Sequence, residues 1–129
     1  MEHALAAGLS GRVQLQVGDA DTAQSLGSGD VPVLGTPRVL ALVEAATVAA
    51  TARHLQSGAT TVGVRVELDH RSPTALGRTV VASANLVKVD GRRLIFDVAV
   101  HDEDLCVADG RVERIVVDRQ RFVAKATGA

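Results

Sequence analysis

Hydrophobic and polar residues alternate one for one along much of this chain. In Gly11–Val17 (GRVQLQV), Val13, Leu15 and Val17 share one face, the pattern of a half-buried strand. Ala59–His70 (ATTVGVRVELDH) repeats it: Val62, Val64, Val66 and Leu68 fall on one face, which His70 continues, and Gly63, Arg65, Glu67 and Asp69 on the other. Arg78–Val89 reads as a third strand. Arg92–His101 reads as a fourth, with Leu94, Phe96, Val98 and Val100 inward, and Asp90-Gly91 between them is a two-residue hairpin signal. After the polar turn Asp102-Glu103-Asp104, Leu105–Val117 is the last long strand, with a bulge expected near Asp109-Gly110. Gly18–Asp30 is polar and Gly-rich, with a short strand or turn near Thr22, and Arg71–Gly77 is a turn. Residues 1–10 and 124–129 are expected to be loose, with Asp118–Phe122 closing the ordered chain.

One stretch breaks the alternation. Thr36–Gln56 (TPRVLALVEAATVAATARHLQ) opens with Thr36 as an N-cap and Pro37 at the first helical position, and stops at Ser57-Gly58. It is apolar nearly all round, the mark of a helix wrapped by other structure, and its many alanines let a sheet approach. The order is strand, buried helix, then four strands joined by short turns, so neighbouring strands run antiparallel. One antiparallel sheet curling around one long central helix makes a single α+β domain over 1–129. Such a sheet leaves an edge or face open, and pairing two copies closes it, so a homodimer is expected.

Composition narrows the function more than the fold. A net charge of -1 with no basic run, and aromatics limited to Phe96 and Phe122, argue against nucleic acid or a membrane surface as partner. The single Cys106 forms no internal disulfide and no multi-cysteine metal site, which suits a cytoplasmic protein. The first twelve residues lack a basic start and a sustained apolar core, so no signal peptide is expected. Glu44 interrupts the only run near membrane-spanning length. His3, His54, His70 and His101 have no ligand spacing, so no metal is expected.

Glu44 is the single charge between Arg38 and Arg53 in the apolar helix. Taking a lone carboxylate out of water costs several kcal/mol unless it is paired, protonated or at a wet site. Thr36, Gly63 and His70 join it as candidates. Each has an ordinary explanation. Thr36 can be a plain cap, Glu44 can pair with an arginine of another strand or subunit, Gly63 can mark a bulge or a tight helix–sheet contact, and His70 can be structural. Thr36 and Glu44 lie about 12 Å apart along a helix. One chain does not easily bring both to one reacting carbon, whereas two antiparallel helices across a two-fold axis do. A helix start suits a polarised carbonyl oxygen, and a carboxylate opposite it can be base or nucleophile.

The helix with Thr36-Pro37 and Glu44, then Gly63, then HRSPTALGRTVVASANLVKVDGRRLIFDV, resembles the fluoroacetyl-CoA thioesterase-like branch of the hotdog-fold proteins, over roughly residues 12–123. Thr36, Glu44 and His70 match that family's catalytic threonine, glutamate and histidine in order and spacing, and Gly63 matches a glycine used near the thioester. The resemblance implies a hotdog fold working as a dimer and hydrolysis of an acyl-CoA thioester, with coenzyme A part of the substrate and no separate cofactor. It implies a carbonyl near Thr36 and backbone amides, Glu44 attacking or activating water, and His70 as general acid/base helping the thiolate leave. One departure bears on the acyl group: the fluoroacetyl-specific enzyme closes its site with bulky apolar residues, including phenylalanines, ahead of the helix. Here that segment reads SLGSGDVPVLG, which points to a different or broader acyl group. Among Arg71, Arg78, Arg92, Arg93, Arg111 and Arg114, the last is the first choice for a ligand contact. A non-catalytic hotdog module that binds acyl-CoA without cleaving it is the alternative. A hydratase is weaker, because Thr36-Pro37 does not supply the Asp/His arrangement of that chemistry.

Overall fold

The computed structural model describes residues 5–128. The expectation of loose residues 1–10 therefore falls partly outside the described residues, as does Ala129. From Gly8 onward the chain is tied to the sheet: the Gly8 amide donates to the Leu86 carbonyl and the Leu86 amide to the Leu9 carbonyl, both at 2.8 Å.

Among the described residues five strands form one antiparallel sheet: β1 (Ser10–Gln16), β2 (Ala59–His70), β3 (Thr79–Asp90), β4 (Arg93–Asp102) and β5 (Leu105–Asp118), in the order β1-β3-β4-β5-β2. The tight turns set β3 beside β4 and β4 beside β5, but the expectation that the short turn after β2 makes β3 its neighbour is corrected: β2 and β3 are separated by β4 and β5. The long helix connection lets β2 start on the far edge, beside β5. The concave face carries the core. Val80, Ala82, Ala84 and Leu86 of β3 are buried there with Leu94, Phe96, Val98 and Val100 of β4.

That core is completed by α2 (Thr36–Thr51), whose buried face is Val39, Leu42, Val43, Ala46, Thr47, Ala50 and Thr51. Its small residues do what their size allows. Gly11 of β1 lies so close to the backbone at Ala46 and Ala50 that a Cβ there would collide with it. The helix ends at Thr51 and passes into a 3-10 turn, Ala52–His54, rather than continuing to Gln56. The expectation that it is wrapped on all sides is corrected: the sheet covers one side, and Pro37, Ala41, Ala45, Val48 and Ala52 form an exposed apolar stripe on the other.

Two helices were not foreseen. A short α1 (Ala23–Leu26) is capped by Thr22, whose hydroxyl accepts from the Ser25 amide, and it ends at Gly27 in the left-handed region. At the other end, where loose chain was expected from residue 124, α3 (Arg119–Thr127) is capped by the Asp118 carboxylate, which accepts from the Arg121 amide at 2.9 Å. No helix among the described residues is long and apolar enough to cross a membrane.

Of the two bulges the sequence suggested, the one near Asp109-Gly110 is displaced and the one that Gly63 could mark is present beside it. β5 carries its irregularity at Val107, between the pairs Val100–Ala108 and His101–Cys106, not at Asp109-Gly110. β2 carries one at Val64, the extra residue between the pairs Gly63–Arg114 and Arg65–Glu113. The clean alternation of β2 is therefore broken in the middle. Thr61 and Gly63 face the helix before the bulge, and Val66, Leu68 and His70 face it afterwards.

Candidate active site

The start of α2 is built differently from a plain cap. Gly35 is the N-cap, with its carbonyl accepting from the Arg38 and Val39 amides at 3.0 and 3.1 Å. It must be small, because a Cβ would meet the Ala23 backbone of α1 at 2.9 Å. Thr36 is the first helical residue, not the cap, so its hydroxyl is spared from capping. That hydroxyl shares a hydrogen bond of 2.8 Å with Nδ1 of His70, its direction following the imidazole tautomer. With Pro37 lacking an N–H, the Thr36 amide is the first-turn donor not committed among the described residues.

His70 ends β2, on the helix-facing side that the Val64 bulge gave it. Burial pushes its imidazole below the usual value near 6.5, with a backbone contact at Ser72 opposing. The ring is therefore neutral at pH 7. Its Nε2 is buried and has no partner among the described residues.

The middle of α2 holds the second group. Glu44 is partly exposed, at 34% of its side chain, and its Oε2 accepts from Arg114 Nη1 at 3.1 Å. Arg114 is 7% exposed and faces the helix from β5. It donates from Nε to Thr61 Oγ1 at 2.9 Å and from Nη2 to the Thr61 carbonyl at 3.0 Å. Burial lowers the affinity of the guanidinium for its proton, and the Glu44 charge opposes that. Gly63 lies between them: a Cβ there would sit 2.5 Å from Glu44 Oε2 and 3.4 Å from Arg114 Nη1. A bare Cα is what lets the carboxylate lie against the strand.

The expected residues thus form two clusters: Thr36 with His70 at the end of the helix, and Glu44 with Gly63 and Arg114 at its middle, about 12 Å along the axis. Thr61 was not anticipated. Its signal was weak, one threonine among alternating valines, and its inward face depends on the bulge. Of the other cations considered, Arg71, Arg78, Arg93 and Arg111 are each in ion pairs with nearby carboxylates. Among the described residues, no three His, Cys, Asp or Glu side chains gather as metal ligands.

A family model described as the fluoroacetyl-CoA-specific thioesterase, FlK, matches residues 17–120. The chain belongs to this family. The FlK family is one of thioester hydrolases, and the hotdog fold is common to it. A curated fluoroacetyl-CoA thioesterase from Streptantibioticus cattleyicolor is 36% identical over 93 residues, which span 72% of this chain and 67% of that one. A substituted FlK solved in complex with acetyl-CoA superposes with a TM-score of 0.90 at 28% identity, covering 96% of this chain and 98% of that one. A hot-dog-like protein from Thermanaerovibrio acidaminovorans, 24% identical, gives 0.85 over 95% of this chain and 90% of that one, a likeness of fold.

Proposed function

We propose that the protein hydrolyses acyl-CoA thioesters with a small acyl group, using Thr36, Glu44 and His70 at a site shared by two copies of the chain. The observation that carries this reading is the 2.8 Å bond between Thr36 and His70 at a helix start, in a chain whose other cluster is a carboxylate held by arginine. The thioester carbonyl would lie at the start of α2, its oxygen toward the Thr36 amide. Glu44 Oε1, the oxygen not taken by Arg114, would remove a proton from water as the water oxygen bonds to the carbonyl carbon, or attack that carbon itself to form a mixed anhydride that water then cleaves to the free acid and the Glu44 carboxylate. The C–S bond then breaks. In either route a proton of the water reaches the neutral His70, directly or through Glu44, and the imidazolium so formed gives it to the coenzyme A sulfur. Gly63 and Arg114 would form the floor beside the acyl carbon. Coenzyme A enters as part of the substrate, not as a resident cofactor.

Two features support the shared site. Among the described residues no strand lies beside the outer edge of β2, and Val64 on it is 49% exposed. The apolar stripe of α2 runs alongside. A second copy paired at β2 would cover both and bring the helix start of one subunit opposite the middle of the other's helix. The single free cysteine accords with action in the cytoplasm.

The test is an acyl-CoA panel with a thiol-trapping reagent, run on the wild type, Glu44→Ala and His70→Ala. Turnover lost in both variants, with circular dichroism unchanged, is the expected result. Undiminished turnover in either removes that residue from the chemistry. Val48→Asp, on the exposed stripe, should lower both the solution mass and the activity; a folded monomer with full activity sinks the shared site.

A further inference from the structure

Beside Thr36 and His70 lies a cleft of about 300 Å3, and its lining includes Ala23, Val31, Val33 and Leu34. Three observations bear on what it takes. The first is charge. Among the described residues Arg71 is the only charged one on the lining, His70 being neutral, and its guanidinium is already paired with Asp109 at 2.9 Å and Asp69 at 3.5 Å. No uncompensated cation is left for an acyl group that ends in a carboxylate.

The second is size. About 300 Å3 is room for about ten waters at ~30 Å3 each. A two-carbon acyl group displaces only two or three of them and leaves Val31 and Val33 wet. The third is the wall itself. The segment from Ala23 to Leu34 is stitched by backbone bonds: the Ala23 amide to the Val33 carbonyl at 2.9 Å, the Gln24 amide to Val31 at 3.2 Å, and the Leu34 amide to Thr74 at 3.0 Å. Such a wall is held in place and does not fold down over a small group. Neither aromatic of the chain borders the cleft, since Phe96 is fully buried in the core and Phe122 lies on α3. The β-branched Val31, 49% exposed, leaves the mouth open.

We propose that this cleft receives an uncharged aliphatic acyl chain of about four to six carbons, laid against Val31, Val33 and Leu34, in preference to a two-carbon acyl group. The proposal rests on the thioesterase reading above, in which the carbonyl lies at Thr36. Each methylene that leaves water for this wall should raise kcat/KM about fourfold, up to six carbons.

The experiment is a straight-chain series, acetyl-, butyryl-, hexanoyl- and octanoyl-CoA with fluoroacetyl-CoA beside them. Turnover is measured on the wild type and affinity by calorimetry on Glu44→Gln. Turnover and affinity that both climb from two to six carbons support the proposal. Affinity that climbs without any turnover also supports it, while the catalytic reading of Thr36, Glu44 and His70 fails. Values that stay flat or fall with length, or a clear preference for fluoroacetyl-CoA, overturn it, and the catalytic reading then stands or falls on Glu44→Ala and His70→Ala. Val31→Phe should lower the hexanoyl-to-acetyl ratio about tenfold; an unchanged ratio removes Val31 from the wall and overturns the assignment.

Discussion

The two ends of the chemistry sit on one helix and are held in opposite ways. At its middle, Glu44 is an ion fixed by an ion: Arg114 spends one N–H on it and two on Thr61, and Gly63 keeps the space clear. At its start, Thr36 and His70 share a single hydrogen bond between neutral groups, and the far nitrogen of the ring is uncommitted among the described residues. A charge that is both paired and hydrogen-bonded resists reorientation. A neutral pair of adjustable protonation can trade protons at little cost. The first arrangement suits a group that must stay in one place, the second a group that must change state.

The sharpest way to break this contrast is to remove the charge and keep the shape. Glu44→Gln should lower kcat by about 10²–10⁴, the range of general-base catalysis, with the fold intact by circular dichroism. A drop below tenfold means that the carboxylate is only structural. Gly63→Val attacks the same cluster from the strand side. It displaces the carboxylate, and we expect a loss of about a hundredfold in kcat, on the scale of a small misplacement of catalytic groups. Arg114→Met should cost about 2–3 kcal/mol in urea unfolding, because it strips a charge-assisted bond from Glu44 and two bonds from Thr61. A loss near zero says that the clamp is not what holds the middle of the site.

Two smaller effects probe the helix start. Folding lowers the proton affinity of His70, so the unfolded chain binds more protons near neutrality. Stability from this residue is therefore fully present above about pH 6.5 and is lost as pH falls toward the folded value. His70→Gln should flatten that part of the stability profile; an unchanged profile assigns the acid sensitivity elsewhere. Thr36→Val should reduce activity and cost no more than the about 0.5–1.5 kcal/mol of its hydrogen bond to His70, because Gly35 and not Thr36 caps the helix. A loss near 1 kcal/mol that persists in a His70→Ala background would restore Thr36 to a capping role.

The helix and strands were legible because their periodicities are strong: Leu94, Phe96, Val98 and Val100 lie inward as their spacing requires. The caps of α1 and α3 were in the sequence too, as Thr22 before AQSLG and Asp118 before RQRFVAKATG, but both helices are short and bury little, so no apolar stripe announced them. The candidate site was legible as a set of residues and not as an arrangement. The reading of β2 set Gly63 and His70 on opposite faces, because four apolar residues in perfect alternation conceal a residue that does not count. The glycine itself was the available hint. The pairing of Glu44 with Arg114 spans seventy residues of sequence, and local pattern cannot choose among so many arginines.

Val64 also sets a rule of arithmetic for anyone who would transplant this constellation. Gly63 and His70 are an odd number of positions apart, so on an undistorted ribbon one of them always looks away from the helix. A host scaffold needs one defect, or three, between them, and never two. Copying the side chains into a regular sheet, however faithfully, would deliver half of the machinery to the outside.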